Sequence, residues 1–147
     1  TELLNISGIE IPADLGEEII LSWDEIKEMN NGGITIGAHT VNHRILTNLP
    51  LEEARGEIVQ SKKDIEKMMG NQVTAFSYPN GDFNADIAKL VSEIGFTCAV
   101  TVLPNKLIDP SDSAYGLSRI GMNDNFSKSK VQLCGLWGDL HSWSKLG

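Results

Sequence analysis

Apolar and polar positions alternate along this chain in two rhythms that take turns. Over residues 51–69 the apolar side chains of Ala54, Ile58, Ile65 and Met68, with Met69, recur at helical spacing. Glu52, Glu53, Glu57, Lys62, Lys63, Asp64 and Lys67 fill the wet side of that helix, and Gly70 ends it. An earlier helix opens at the capping box Ser22-Trp23-Asp24-Glu25 and closes at Asn31-Gly32-Gly33. A third is capped by Asn84 and runs to Ile94, before Gly95. Between them lie apolar runs at 34–38, 73–78 and 96–102, read as strands, with Pro79-Asn80-Gly81-Asp82 as a turn. Beyond Pro104 come a polar loop (105–115), a short strand (117–121) and a last helix (127–137). Strands that alternate with helices predict an α/β fold, a parallel sheet or barrel. Internal repeats and low-complexity tracts are absent from the sequence.

His39-Thr40-Val41-Asn42-His43 follows the first apolar run and holds two of the three histidines. Imidazoles spaced i, i+4 converge on one face of a helical turn and can grip a single ion, zinc or a first-row neighbour. The plainer alternative is two ordinary polar loop residues. In α/β folds, sites gather where strands end and lead into helices. The histidine loop and the turn at 78–82 both leave strands at that end, so they are expected to face one another across a common mouth.

Composition narrows the function. A chain of 147 residues with 41% hydrophobic and 22% charged residues is globular and of single-domain size. A formal net charge of −8, with no basic patch, argues against nucleic acid and anionic membranes as partners. No apolar run is long enough for a transmembrane segment, and no signal peptide is visible. Cys98 reads as a buried free thiol in a strand and Cys134 as a helix residue, with no CxxC motif.

Gly37-Ala38-His39-Thr40-Val41-Asn42-His43 resembles the H-[S/T]-x-x-H metal motif of the polysaccharide deacetylases, the NodB-like domains of carbohydrate esterase family 4. Phe76-Ser77-Tyr78-Pro79-Asn80-Gly81 resembles the next motif of that family, one wall of its substrate groove. The lead-in Leu21-Ser22-Trp23-Asp24-Glu25-Ile26, the helix end Ile65-Glu66-Lys67-Met68-Met69-Gly70 and Leu117-Ser118-Arg119-Ile120 match in character. The resemblance implies part of a distorted (β/α) barrel over residues 21–137, with 1–20 a linker or insertion remnant and 138–147 a tail. It implies a metal-dependent hydrolase that removes N-acetyl groups from an N-acetylhexosamine polysaccharide, outside the cell or in its envelope. His39 and His43 would hold a divalent metal, zinc by preference, and the Thr40 hydroxyl would brace their loop. The backbone N–H of Asn80 would be the oxyanion donor, and Tyr78 and Pro79 would line the groove. Tyr78 reads equally well as a core residue, and Arg119 as one half of a structural salt bridge.

The family also uses an Asp-Asp motif on its first strand, one aspartate as metal ligand and one as general base. This sequence has no Asp-Asp pair. Either the chain is a fragment of a longer enzyme, which the start at Thr1 favours, or it is a natural short form lacking the base; it is expected to be inactive alone and prone to self-association along an uncovered strand. The rival class is a non-catalytic carbohydrate-binding or structural module. Serine stands at 77 where the family often has arginine, and asparagine at 80 where it often has an aromatic. His141 directly follows Leu140 and reads as a tail residue rather than part of the late Leu-x-His motif.

Overall fold

Ser22 starts the first helix because its extended backbone leaves the side chain free to turn back. Its Oγ accepts the Glu25 N–H at 3.3 Å, and Glu25 Oε2 accepts the Ser22 N–H at 2.7 Å. This reciprocal box closes two open backbone donors at the start of the helix. The helix, α1, spans Trp23–Asn31 and ends where the Gly32 N–H donates to the Glu28 carbonyl at 2.9 Å. The computed structural model describes residues 20–104 and 113–119. The chain divides into two units, residues 1–36, which contain α1, and residues 37–147.

The strand expected at 34–38 shrinks to one residue. Only Ala38 pairs, giving its N–H to the Ala75 carbonyl and taking the Ser77 N–H, both at 2.9 Å. A strand forms only where its backbone finds ladder partners, and among the described residues those before Ala38 find none. Gly37 permits the approach: a Cβ there would sit 3.1 Å from the Ala75 carbonyl oxygen.

In the second unit, α2 spans Leu51–Met69 with Glu52 and Glu53 in its first turn and Lys67 in its last, matching the helix dipole. Its buried stripe is Ala54, Ile58 and Ser61, with Ile65 partly buried beyond. Ser61 is tolerated there because its hydroxyl donates to the Ile58 carbonyl at 2.9 Å. The chain continues through β1 (Ala75–Ser77), α3 (Ala85–Glu93), β2 (Cys98–Pro104) and β3 (Leu117–Arg119). Asn84 caps α3 by accepting the Ile87 N–H at 2.9 Å. All three strands are parallel, in the order β1-β2-β3, with Phe76 opposite Ala99 and Val100 opposite Leu117. Ala38 adds a further parallel partner on the outer side of β1. Sequence order therefore equals spatial order, as in the wall of a (β/α) barrel; a doubly wound sheet would reverse.

Phe76, Tyr78, Phe96, Val73, Ile87, Leu90, Val91 and Ala99 form the core with Ala38, Leu46, Ala54 and Ile58. The aromatic rings interlock, Phe76 lying 5.2 Å from Phe96 and 5.4 Å from Tyr78, centroid to centroid. β1 is shorter than the run at 73–78, and β2 lies two residues later than the run at 96–102. Cys98 is a free thiol but only partly buried, where full burial was expected. The helix expected at 127–137, residues 105–112, Cys134 and His141 lie outside the described residues. Among the described residues, no helix is long and apolar enough to cross a membrane.

Candidate functional site

The ladder that holds Ala38 also positions the residue after it. With Ala38 locked between Ala75 and Ser77, the His39 ring swings onto the end of β1, where its Nδ1 lies 2.7 Å from the Ser77 carbonyl oxygen. A carbonyl only accepts, so Nδ1 is the donor, and in the neutral ring that leaves the lone pair on Nε2. His43 closes on His39 edge to face, at 4.8 Å between ring centroids and 73° between planes. Both histidines are exposed. The loop is not the helical turn expected from the i, i+4 spacing. Thr40 and His43 both adopt left-handed backbone, at φ 65° and φ 54°. Such conformations cost about 1–3 kcal/mol each for side chains with a Cβ and persist only where neighbours enforce them.

The enforcing neighbour is Glu57, which the helical pattern placed on the wet side of α2. Its Oε2 accepts the N–H groups of Val41 and Asn42 at 3.0 and 2.9 Å, and its Oε1 accepts the Asn42 side-chain amide at 2.7 Å. Burial pushes this carboxyl's pKa up, but the Asn42 amide, the two backbone N–H groups and the Arg44 charge outweigh it and hold it below the ordinary carboxylate value. A signal existed in the sequence. Position 57 falls three residues after Ala54 and four before Ser61, on the flank of the buried stripe, where an acid is out of place unless it bonds inward. Thr40, expected to brace the loop, has a buried hydroxyl with no partner among the described residues, and so has Ser77.

The turn after β1 is pinned just as firmly. Gly81 N–H donates to the Tyr78 carbonyl at 2.9 Å, and Thr101 Oγ1 donates to the Gly81 carbonyl at 2.6 Å. Gly81 has φ 78°, and a Cβ there would fall 2.3 Å from Val102 Cγ2. Asn80 has φ 57°, a conformation that asparagine tolerates better than an aromatic would. Its side-chain amide donates to Asp82 Oδ2 at 2.8 Å, so that carboxylate serves the turn.

Tyr78 and Pro79 are buried, Tyr78 completely. The Tyr78 ring stacks on Phe83 at 4.8 Å and its hydroxyl donates to the Tyr115 carbonyl at 2.8 Å. Burial first, and Tyr115 second, raise its phenol pKa well above the ordinary value. Of the two readings of Tyr78, the packing supports the core one, and Pro79 shapes the turn from within. Arg119 Nε donates to the Thr101 carbonyl at 3.2 Å, a backbone hydrogen bond where a salt bridge was expected.

His39 and His43 are therefore brought together, with Ser77 at the end of β1 and Asn80 on the turn that follows it. Among the described residues, no third histidine, cysteine or carboxylate joins them in a cluster able to hold a metal. The donor chemistry fits two positions of a divalent-ion shell and leaves the others to groups beyond these residues.

The fold is shared with known proteins. Residues 11–99 match the polysaccharide deacetylase family profile, and the chain belongs to that family. YxkH of Bacillus subtilis (strain 168), which carries a polysaccharide deacetylase name, is 30% identical over 119 residues, covering 81% of this chain and 42% of its own length. This chain therefore spans less than half of that relative. Among solved structures, the Streptococcus pyogenes deacetylase PplD in complex with acetate superposes with a TM-score of 0.70 at 24% identity, over 76% of this chain and 50% of that one. A Bacillus cereus polysaccharide deacetylase gives a TM-score of 0.60 at 29% identity, over 68% of this chain and 32% of that one. The fold is the distorted (β/α) barrel of the NodB type, of which the described strands form one wall.

Proposed function

We propose that this chain carries the histidine-pair side of a metal-dependent N-deacetylase that acts on an N-acetylhexosamine polysaccharide. The observation that carries the reading is the His39–His43 pair, with His39 held through Nδ1 on Ser77 so that Nε2 is free. In this reading His39 and His43 are ligands of a divalent ion, zinc being the best match to paired imidazoles. When bound, such an ion supplies Lewis acidity toward a carbonyl oxygen and an acidified water. The protein's own groups do the rest. Ser77 fixes the His39 tautomer, and the left-handed Asn80 offers its backbone N–H to the oxyanion that develops on the acetamide. The acids that would complete the ligand set and take the proton from the attacking water are the Asp-Asp pair that this sequence does not contain.

This supports little turnover by the chain on its own and activity in a longer protein that supplies the pair, outside the cell or in its envelope. The catalytic domain would cover residues 21–137. Ala38 has ladder partners on one side only among the described residues, which supports self-association along that edge. The second reading, a non-catalytic module that kept the fold, draws on the lack of a third ligand beside the pair among the described residues. Acetate release from N-acetylglucosamine oligomers, measured for this chain and for a longer protein with an Asp-Asp strand, separates the two. An inactive long form would favour the module.

A further inference from the structure

We infer that Glu57 is the positioning residue of the histidine pair: its carboxylate clamps the loop between His39 and His43 and so sets where the second imidazole stands. The inference rests on the reading of that pair as metal ligands, but the clamp itself has independent support. His39 has an anchor of its own in the Ser77 carbonyl. His43 has no side-chain hydrogen-bond partner among the described residues, so its place follows from the backbone that carries it. That backbone turns left-handed at Thr40 and again at His43. Between those two residues lie Val41 and Asn42, and both give their N–H groups to one oxygen of Glu57. The Asn42 side-chain amide takes the other oxygen.

Three donors on one carboxylate define both the height and the tilt of the loop over α2. Glu57 projects from the middle of a helix of 19 residues, next to the fully buried Ile58, so the clamp stands on a rigid base. Thr40 cannot take over this task, since its hydroxyl finds no partner among the described residues. Glu57 bonds to Val41 and Asn42 and makes no hydrogen bond to either imidazole; it acts through the peptide between them. Groups that hold metal-binding side chains in this indirect way typically change metal affinity about 10–100-fold when removed.

The test uses the full 147-residue chain and three variants: Glu57→Ala, Glu57→Gln and His43→Ala. Two-dimensional NMR of the metal-free chain reads the cross-relaxation between the His39 and His43 ring protons, which the 4.8 Å ring separation makes visible. Glu57→Ala is expected to lose that signal while the amide signals of α2 and the sheet stay in place. Glu57→Gln keeps one acceptor oxygen and is expected to restore most of it. Calorimetry with zinc should then show binding weakened at least about tenfold by Glu57→Ala and less by Glu57→Gln, with unchanged cooperative unfolding. Retention of the ring–ring signal in Glu57→Ala would overturn the clamp, whatever the metal result. If the unsubstituted chain and His43→Ala show the same zinc titration, the ligand reading fails, and the NMR comparison still decides the clamp. General loss of amide dispersion in Glu57→Ala with full rescue in Glu57→Gln would make Glu57 a fold residue and overturn the specific role.

Discussion

His39 and Ser77 are 38 positions apart in the chain, yet the Nδ1 of one lies 2.7 Å from the carbonyl oxygen of the other. The contact follows directly from the parallel pairing of Ala38 with Phe76, one residue upstream on each run. A backbone ladder thus sets the tautomer of a side chain. The bond occupies Nδ1 and leaves Nε2 clear of it, with the His43 ring 4.8 Å away between centroids.

If the pair holds a metal, each imidazole is half of the described donor set, and removing either should weaken zinc binding more than about tenfold. Elemental analysis and calorimetry on the chain, His39→Ala and His43→Ala measure this. Equal metal content in all three would remove the site.

Gly81→Ala should be the most damaging single-methyl change in the described turn. It forces a Cβ onto φ 78° and into Val102, where the added carbon would come within 2.6 Å of the Val102 backbone nitrogen. Strain at a left-handed residue and overpacking each cost about 1–3 kcal/mol, so a loss of about 2–5 kcal/mol is expected in urea unfolding. The nearby Asp82→Ala, on the exposed face of the turn, should cost far less.

Tyr78 gives a direct test of core against groove. Tyr78→Phe removes only the hydrogen bond to the Tyr115 carbonyl and should cost about 0.5–1.5 kcal/mol. Tyr78→Ala empties a completely buried aromatic site and should cost about 3–5 kcal/mol. Tyr78→Phe should leave zinc binding unchanged, because the ring packs against Phe76 and Phe83. A Tyr78→Phe protein with normal stability and altered oligosaccharide affinity would place the hydroxyl in the groove after all.

Acid should loosen the end of α2. The Val73 N–H, at 3.0 Å, and then the Lys62 ammonium hold the Glu66 carboxyl below its ordinary value, against a smaller opposing effect of burial. Because the folded pKa lies below the unfolded one, about 4.3, the stabilisation is complete above that range. It is lost as pH falls through the folded value. Unfolding free energy measured from neutral pH to pH 2 should therefore drop less steeply in Glu66→Gln than in the unsubstituted chain. Parallel slopes would mean that the carboxylate contributes nothing to acid sensitivity.

The sequence made the helices legible because their signals are local. Ser22 with Glu25, Asn84, and the Ala54–Ile58 spacing all act within one or two turns of chain. The strand at 34–38 was misjudged in extent because a strand exists only through its neighbours, and an apolar run says nothing about who they are. The histidine pair was legible from spacing and resemblance, but its mechanism of convergence was not. The i, i+4 rule assumes a helix, whereas His39 and His43 converge through left-handed backbone at Thr40 and His43 and a carboxylate 14 positions beyond His43. Glu57 was hidden because helical periodicity sorts residues into wet and dry faces and leaves no category for an acid on the border that bonds to a loop. Tyr78 was ambiguous for a related reason: a motif residue at a strand end can point into the groove or into the core, and only packing against Phe83 decides.

The last expectation concerns turnover. General-base assistance typically contributes a factor of about 10²–10⁴, and this sequence contains no Asp-Asp pair to supply it. Among the described residues an ion would have His39 and His43 as its only clustered donors, which would leave it weakly bound and poorly placed. Acetate release from N-acetylglucosamine oligomers by this chain, under saturating zinc, should therefore fall at least about a hundredfold below that of a longer protein carrying the pair. His43→Ala in the longer protein should abolish its activity, and His43→Ala in the short chain should change almost nothing, since there is little to lose. Robust acetate release by the 147-residue chain would show that a carboxylate outside the described residues takes the base's place.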